Sequence, residues 1–97
     1  MTYYKLICKG RWLASGWPGL SVMELDDDRY QTKVLEIFDN GKIGYAYSDI
    51  EVNGCFLAEG VYVTPEFLAE DSDIAMIPIT KTDFDKMWVQ YVNEKHN

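Results

Sequence analysis

A chain of 97 residues sits near the lower end of what one hydrophobic core can support, and its composition, 47% hydrophobic and 14% aromatic, argues against disorder. Nine lysines and arginines scattered among sixteen acids give a net charge of -7, which offers no basic stripe for phosphates and so excludes direct nucleic-acid binding. No apolar run approaches the ~18 residues of a membrane span. The start, MTYYKLICKGRW, has neither the long apolar core nor the small-residue cleavage site of a signal peptide, so residues 1–97 are expected to form a single cytoplasmic domain.

YYKLICKG alternates Tyr4, Leu6 and Cys8 with Lys5, Ile7 and Lys9, the period of a half-buried strand. ASGWPG, with two glycines and a proline, makes Ser15 to Gly19 a loop. LSVMEL is β-prone and predicts a second strand, ending in the acidic corner DDDR. In YQTKVLEIFDNGKIGYAYSD, Asn40-Gly41 lies between two β-rich runs and predicts a type I′ turn with Asp39 facing Lys42. A second Asn-Gly at 53–54 predicts another hairpin, bringing Val52 near Cys55.

TPEFLAED then places Thr64 as an N-cap, Pro65 at the first helical position and Glu66 in the first turn of one short helix. IAMIPIT is extended, and Pro78 confines it to an edge strand or a linker. TKTDFDKMWVQYVNEKH reads as the C-terminal helix, from about Lys81 to Glu94. Thr80 or Thr82 opens it, with Asp83 or Asp85 completing a loose capping box. Phe84, Met87, Trp88, Tyr91 and Val92 form its apolar stripe. The expected class is α+β: an antiparallel sheet of four or five strands joined by meander hairpins, with the C-terminal helix and one short helix on one side.

Little in the chain carries catalytic chemistry. His96, the only histidine, is next to the last residue, so neither a serine nor a cysteine triad is expected. One histidine and two distant cysteines give no zinc spacing. No glycine-rich nucleotide cradle is present. Asp26, Asp27 and Asp28 fail the calcium-loop pattern, because Tyr30 and Gln31 stand where an acid and the turn glycine belong. They read as a solvated corner whose charge Arg29 partly offsets. Glu24 and Glu36 are each candidates for half of an acid-base pair, but chance alone pairs acids in an acidic chain. Cys8 reads as a small core residue, and Cys8 and Cys55 as reduced thiols. No catalytic residue, metal or cofactor is therefore expected. Trp17, in the SGWPG loop, is either a lid folded back on the core or an exposed anchor.

The charge itself is unevenly placed. Residues 1–42 balance six acids against six bases, and residues 81–97 balance three against three. Between Lys42 and Lys81 there is no base, while Asp49, Glu51, Glu59, Glu66, Glu70, Asp71 and Asp73 supply seven acids. Solubility alone accounts for scattered surface acids. Segregation favours a surface that meets a basic partner. Tyr47, Phe56, Tyr62 and Phe67 interleave with these acids as candidate aromatic anchors, with Phe56 and Phe67 equally candidates for the core.

ELDDDRYQTKVLEIFDNGKIGYA, with a later Pro-x-x-Phe and the C-terminal FDKMW, resembles a family of small acidic bacterial proteins. The shared pattern runs from Asp26 to Tyr30, Lys33 to Phe38, Asn40-Gly41, Gly44 to Ala46, and Phe84 with Trp88, covering about residues 22–92. It departs at Leu35, where the pattern has a glutamate after Lys-Val, and in the N-terminal loop. Members resemble immunity proteins of polymorphic toxin and contact-dependent growth inhibition systems. The resemblance implies an immunity protein that neutralises a cognate toxin, a nuclease and foremost an RNase, without catalysis of its own. Such a toxin has a basic cleft that an acidic surface can plug. The alternative is a non-catalytic acidic binding or regulatory module with no toxin partner.

Overall fold

The computed structural model describes residues 1–92, with His96 outside them, and the last helix, expected to reach about Glu94, stops at Tyr91 with Val92 extended. Six strands form one antiparallel sheet: β1 (Thr2–Cys8), β2 (Leu20–Leu25), β3 (Gln31–Ile37), β4 (Ile43–Tyr47), β5 (Ile50–Val52) and β6 (Ile74–Ile79), in the spatial order β5-β4-β3-β2-β1-β6. The first five follow one another as a meander. The sixth returns to pair with β1, so the sheet has more strands than the four or five expected, and β6 is an edge strand, where Pro78 is tolerated. Three helices accompany it: α1 (Arg11–Ala14), α2 (Pro65–Leu68) and α3 (Lys81–Tyr91). Thr64 caps α2 by accepting from Phe67 N–H at 3.2 Å, and Thr80, rather than Thr82, caps α3 by accepting from Asp83 N–H at 3.0 Å.

Directly paired residues in an antiparallel sheet share a face, so the register sorts the side chains. Tyr3, Glu24, Lys33 and Tyr47 form one row, and Lys5, Val22, Leu35 and Tyr45 the next. On this face lies α3, whose Phe84 and Trp88, with the following Val92, bury against Tyr3, Val22 and Leu35. Phe84 is fully buried, which contributes roughly 1.5–3 kcal/mol. The opposite face carries Tyr4, Met23, Val34 and Ala46 in one row and Leu6, Ser21, Glu36 and Gly44 in another. It is covered by Trp12 of α1, Leu68 of α2 and Leu57 and Tyr62 between, packed on Leu6, Met23 and Val34. Both faces are thus covered, with the two short helices away from α3.

The two Asn-Gly pairs behave differently. At 40–41 only Gly41 has positive φ (89°), Phe38 N–H donates to Lys42 O at 2.9 Å, and Gly41 N–H donates to Phe38 O. The loop is therefore Asp39-Asn40-Gly41, a type I turn closed by a left-handed glycine, and not the expected type I′ turn. Phe38, not Asp39, stands opposite Lys42. At 53–54 both residues have positive φ (56° and 80°), and Cys55 N–H donates to Val52 O at 3.2 Å, as a type I′ turn requires. No second strand follows it, however. The chain instead drops onto the sheet, and Cys55 is buried there. Gly44 makes room: a Cβ at this position would sit 3.1 Å from Cys55 Cβ and 3.2 Å from Val52 O. The hairpin partner of β5 is β4, reached through Ser48-Asp49.

Candidate functional site

The covered face opposite α3 is assembled from loops that the sheet holds at both ends. At one end, Arg29 takes positive φ (67°) at the β2–β3 corner and reaches across to the stretch before α2. Its Nη2 donates to Val63 O at 2.6 Å and its Nε to Tyr62 O at 3.4 Å, while its guanidinium lies 5.8 Å from the Tyr4 ring centroid. Tyr62 N–H returns a bond to Arg29 O, and Ala58 N–H donates to Gln31 Oε1 at 2.8 Å. Arg29 is therefore a clamp on the loop, not a counterion for the neighbouring aspartates. Asp26 builds the corner by accepting from the N–H groups of Asp28 and Tyr30, and Asp27 pairs with the Met1 ammonium at 3.1 Å.

At the other end, Asp71 Oδ2 accepts from Arg11 Nη2 at 2.8 Å and from Trp12 Nε1 at 3.1 Å, and its Oδ1 accepts from Asp73 N–H at 2.9 Å. The Asp73 N–H, with Arg11 and Trp12 assisting, holds the Asp71 carboxyl below the usual carboxylate range. Asp73 Oδ2 accepts from Arg11 N–H at 3.4 Å. Two of the seven acids are thus engaged inside the molecule, and a base from the balanced N-terminal part answers one of them.

Between the two ends lie adjoining hollows that share Leu6, Trp17, Ala58 and Tyr62. One, of about 230 Å³, is lined also by Gln31, Glu36, Cys55 and Phe56. The other, of about 340 Å³, adds Trp12, Glu59, Val61 and Leu68. Among the described residues no lysine or arginine lines either one. Trp17 is 46% exposed and meets Trp12 edge-on, with ring centroids 4.9 Å apart. It combines the two roles open to it, packed at one edge and available at the other. Burial, and then the Glu36 carboxylate beside it, pushes the Cys55 thiol up to about 12. At neutral pH it is a neutral thiol, not a nucleophile. Cys8 and Cys55 are both buried and unbridged.

The expected site residues divide. Glu51 shares a row with Ala46, Val34 and Met23 and so belongs to this face. Glu59 and Tyr62 line the hollows. Glu66 and Phe67 lie on α2 and Glu70 just beyond it, all exposed, with Phe67 at 74%. Phe56 is 65% exposed, so neither Phe56 nor Phe67 is core. Tyr47 faces the other way and packs on Trp88 at 5.7 Å between centroids, within the α3 core. Asp49 occupies the β4–β5 turn. Five inter-strand steps separate β5 from β6, roughly 24 Å, which sets Asp49 far from the segment at 71–73 that leads into β6. Glu24 and Glu36 fall on opposite faces and cannot act as a pair with each other.

Sequence reasoning passed over Arg11, Trp12 and Glu36 as members of this surface. The alternation in TKVLEIF does place Glu36 opposite Leu35 in facing, but only the return of residues 54–62 turns that position into a cavity wall. Among the described residues no group of three or more His, Cys, Asp or Glu is placed to hold a metal, and no helix is long and apolar enough to cross a membrane. A family model described as a domain of unknown function (DUF6881) matches residues 12–93. No curated protein and no solved structure matches the chain.

Proposed function

The chain belongs to the DUF6881 family of domains, and we propose that it is an immunity protein, one that binds and neutralises a basic toxin domain, a nuclease, in the cytoplasm without catalysis. One observation carries this reading. The face opposite α3 carries exposed Phe56, Val61, Phe67 and half-exposed Trp17 with Glu59, Glu66 and Glu70, while Glu51 stands at its β5 edge. Large apolar side chains left in water and rimmed by polar, mainly acidic, residues are the composition of a recognition surface, not of a solvated one. A nuclease cleft must be basic to hold phosphates, and an acidic surface offers it the charge of its own substrate. Long-range attraction then speeds the encounter, and the aromatic anchors hold the complex once it has formed.

The similarity of the DDDR corner, the Asn-Gly turn and the Phe84–Trp88 pair to immunity proteins supports the same reading. The test is co-expression with the protein encoded directly upstream. A complex that survives purification, weakens with salt and removes the partner's toxicity supports it. A neighbour that is not toxic, or one that forms no complex at low salt, contradicts it and leaves a regulatory module whose acids serve solubility.

A further inference from the structure

The geometry points to the paired hollow beside Trp17 as a socket for one arginine side chain of the basic partner. This rests on the acidic face meeting such a partner, and it names the group that enters. The walls are aromatic, with Trp17, Tyr62 and Phe56 around the first hollow, and half-buried Glu36 is in its lining. Glu59 stands in the adjoining part. A planar guanidinium can lie against an aromatic face while its N–H fork donates to a carboxylate. A lysine ammonium is more strongly hydrated and offers no flat surface to stack. Among the described residues no base in the lining competes for Glu36, and the neighbouring Cys55 is a neutral thiol, a weak donor.

The first hollow, of about 230 Å³, has room for the guanidinium end of one side chain. The adjoining hollow is more apolar in its members, with Trp12, Val61 and Leu68, and suits the aliphatic stem and the residue beside it. The socket is also held in place before binding. Glu36 is on the interior strand β3, and the loop over it is tied by Arg29 to Tyr62 and Val63 and by Gln31 to Ala58. Walls fixed in advance spare the complex the cost of ordering them.

The probe is the blocked tripeptide acetyl-Gly-Arg-Gly-amide, with its lysine and citrulline counterparts, titrated into the full chain. The Trp17 indole N–H and the Ala58 amide are followed by NMR. The arginine peptide should move both signals saturably, with a dissociation constant in the millimolar range, and citrulline, which keeps the shape and loses the charge, should bind about tenfold more weakly. Glu36→Gln should weaken arginine binding by about the same factor, whereas Asp85→Asn, on α3 across the sheet, should leave it unchanged. Equal responses to arginine and citrulline, a lysine peptide binding as tightly as arginine, or no movement of the Trp17 signal would each overturn the socket. The peptide comparison uses the unaltered protein, so it decides even where a variant folds poorly. Peptide binding without any toxin complex would sink the proposed function alone. A toxin complex untouched by Glu36→Gln would sink the socket alone.

Discussion

Asp71 is committed inside the molecule before any partner arrives. Its carboxylate accepts from Asp73 N–H, Arg11 and Trp12 and is held below the usual carboxylate range, so the folded chain takes up this proton less readily than the unfolded one. Its contribution to stability is whole at neutral pH and is lost as the pH falls through the lowered value. Asp71→Asn should therefore destabilise at pH 7 and flatten the acid limb of stability measured by urea unfolding; an unaltered acid limb would show that the contact contributes nothing. Cys55 works in the opposite sense. Its thiol is raised to about 12, so the stability it adds is present below the ordinary thiol pKa and is lost as the pH climbs toward that value. Iodoacetamide at pH 8 should leave Cys8 and Cys55 unmodified in the native protein and alkylate both in denaturant. Rapid native labelling would contradict the burial described.

At the scale of elements, local chemistry and long-range packing can be separated. Gly41 adopts φ of 89° with open space around it, so Gly41→Val adds backbone strain alone, about 1–3 kcal/mol. Trp88→Ala removes the ring on which Tyr45, Tyr47 and Phe84 pack, and should cost about 3–5 kcal/mol by thermal or urea unfolding. If the two substitutions cost the same, the α3 core is less important than its burial implies. The helix α3 was legible because Thr80 caps it and Phe84 and Trp88 recur on one face. Thr64 and Pro65 marked α2 for the same local reasons. Asn40-Gly41 announced a turn but not its length, since Asp39 joins the loop through hydrogen bonds that the dipeptide does not specify. Ser48 gave no warning of the β4–β5 turn, because positive φ (53°) is unusual for serine. The four-residue α1 is too short to show a period, and its position depends on Asp71, which is 60 residues away from Arg11 along the chain.

For the molecule as a whole, folding redistributes the charge that the sequence segregates. Arg11 and Arg29 come from the balanced part and lie on the acidic face, one paired with Asp71 and the other clamping backbone carbonyls. Tyr47 turns into the α3 core, and Asp49 stands at the far edge. Of the seven acids, Glu59, Glu66 and Glu70 are left for a partner beside Phe56 and Phe67, with Glu51 at the β5 edge and Glu36 of β3 in the hollow between. None of this grouping could be read from charge spacing, because it depends on which loop covers which row of the sheet. Association through such a surface should slow as salt shortens the Debye length from ~10 Å at 0.1 M to ~3 Å at 1 M.

The affinity of the upstream-encoded toxin domain for two charge-reversed variants of this protein decides whether the acidic face is the interface. One carries Glu66→Lys with Glu70→Lys, and the other Asp27→Lys with Asp28→Lys. Asp26 is left intact because its carboxylate builds the β2–β3 corner. Both variants are first shown to unfold at the temperature of the parent. Reversal at 66 and 70 should weaken binding at least tenfold, the equivalent of ~1.4 kcal/mol, mainly at low salt, while reversal at 27 and 28 should change it little. Binding lost by the 27/28 variant and kept by the 66/70 variant would contradict the claim and move the interface to the β2–β3 corner.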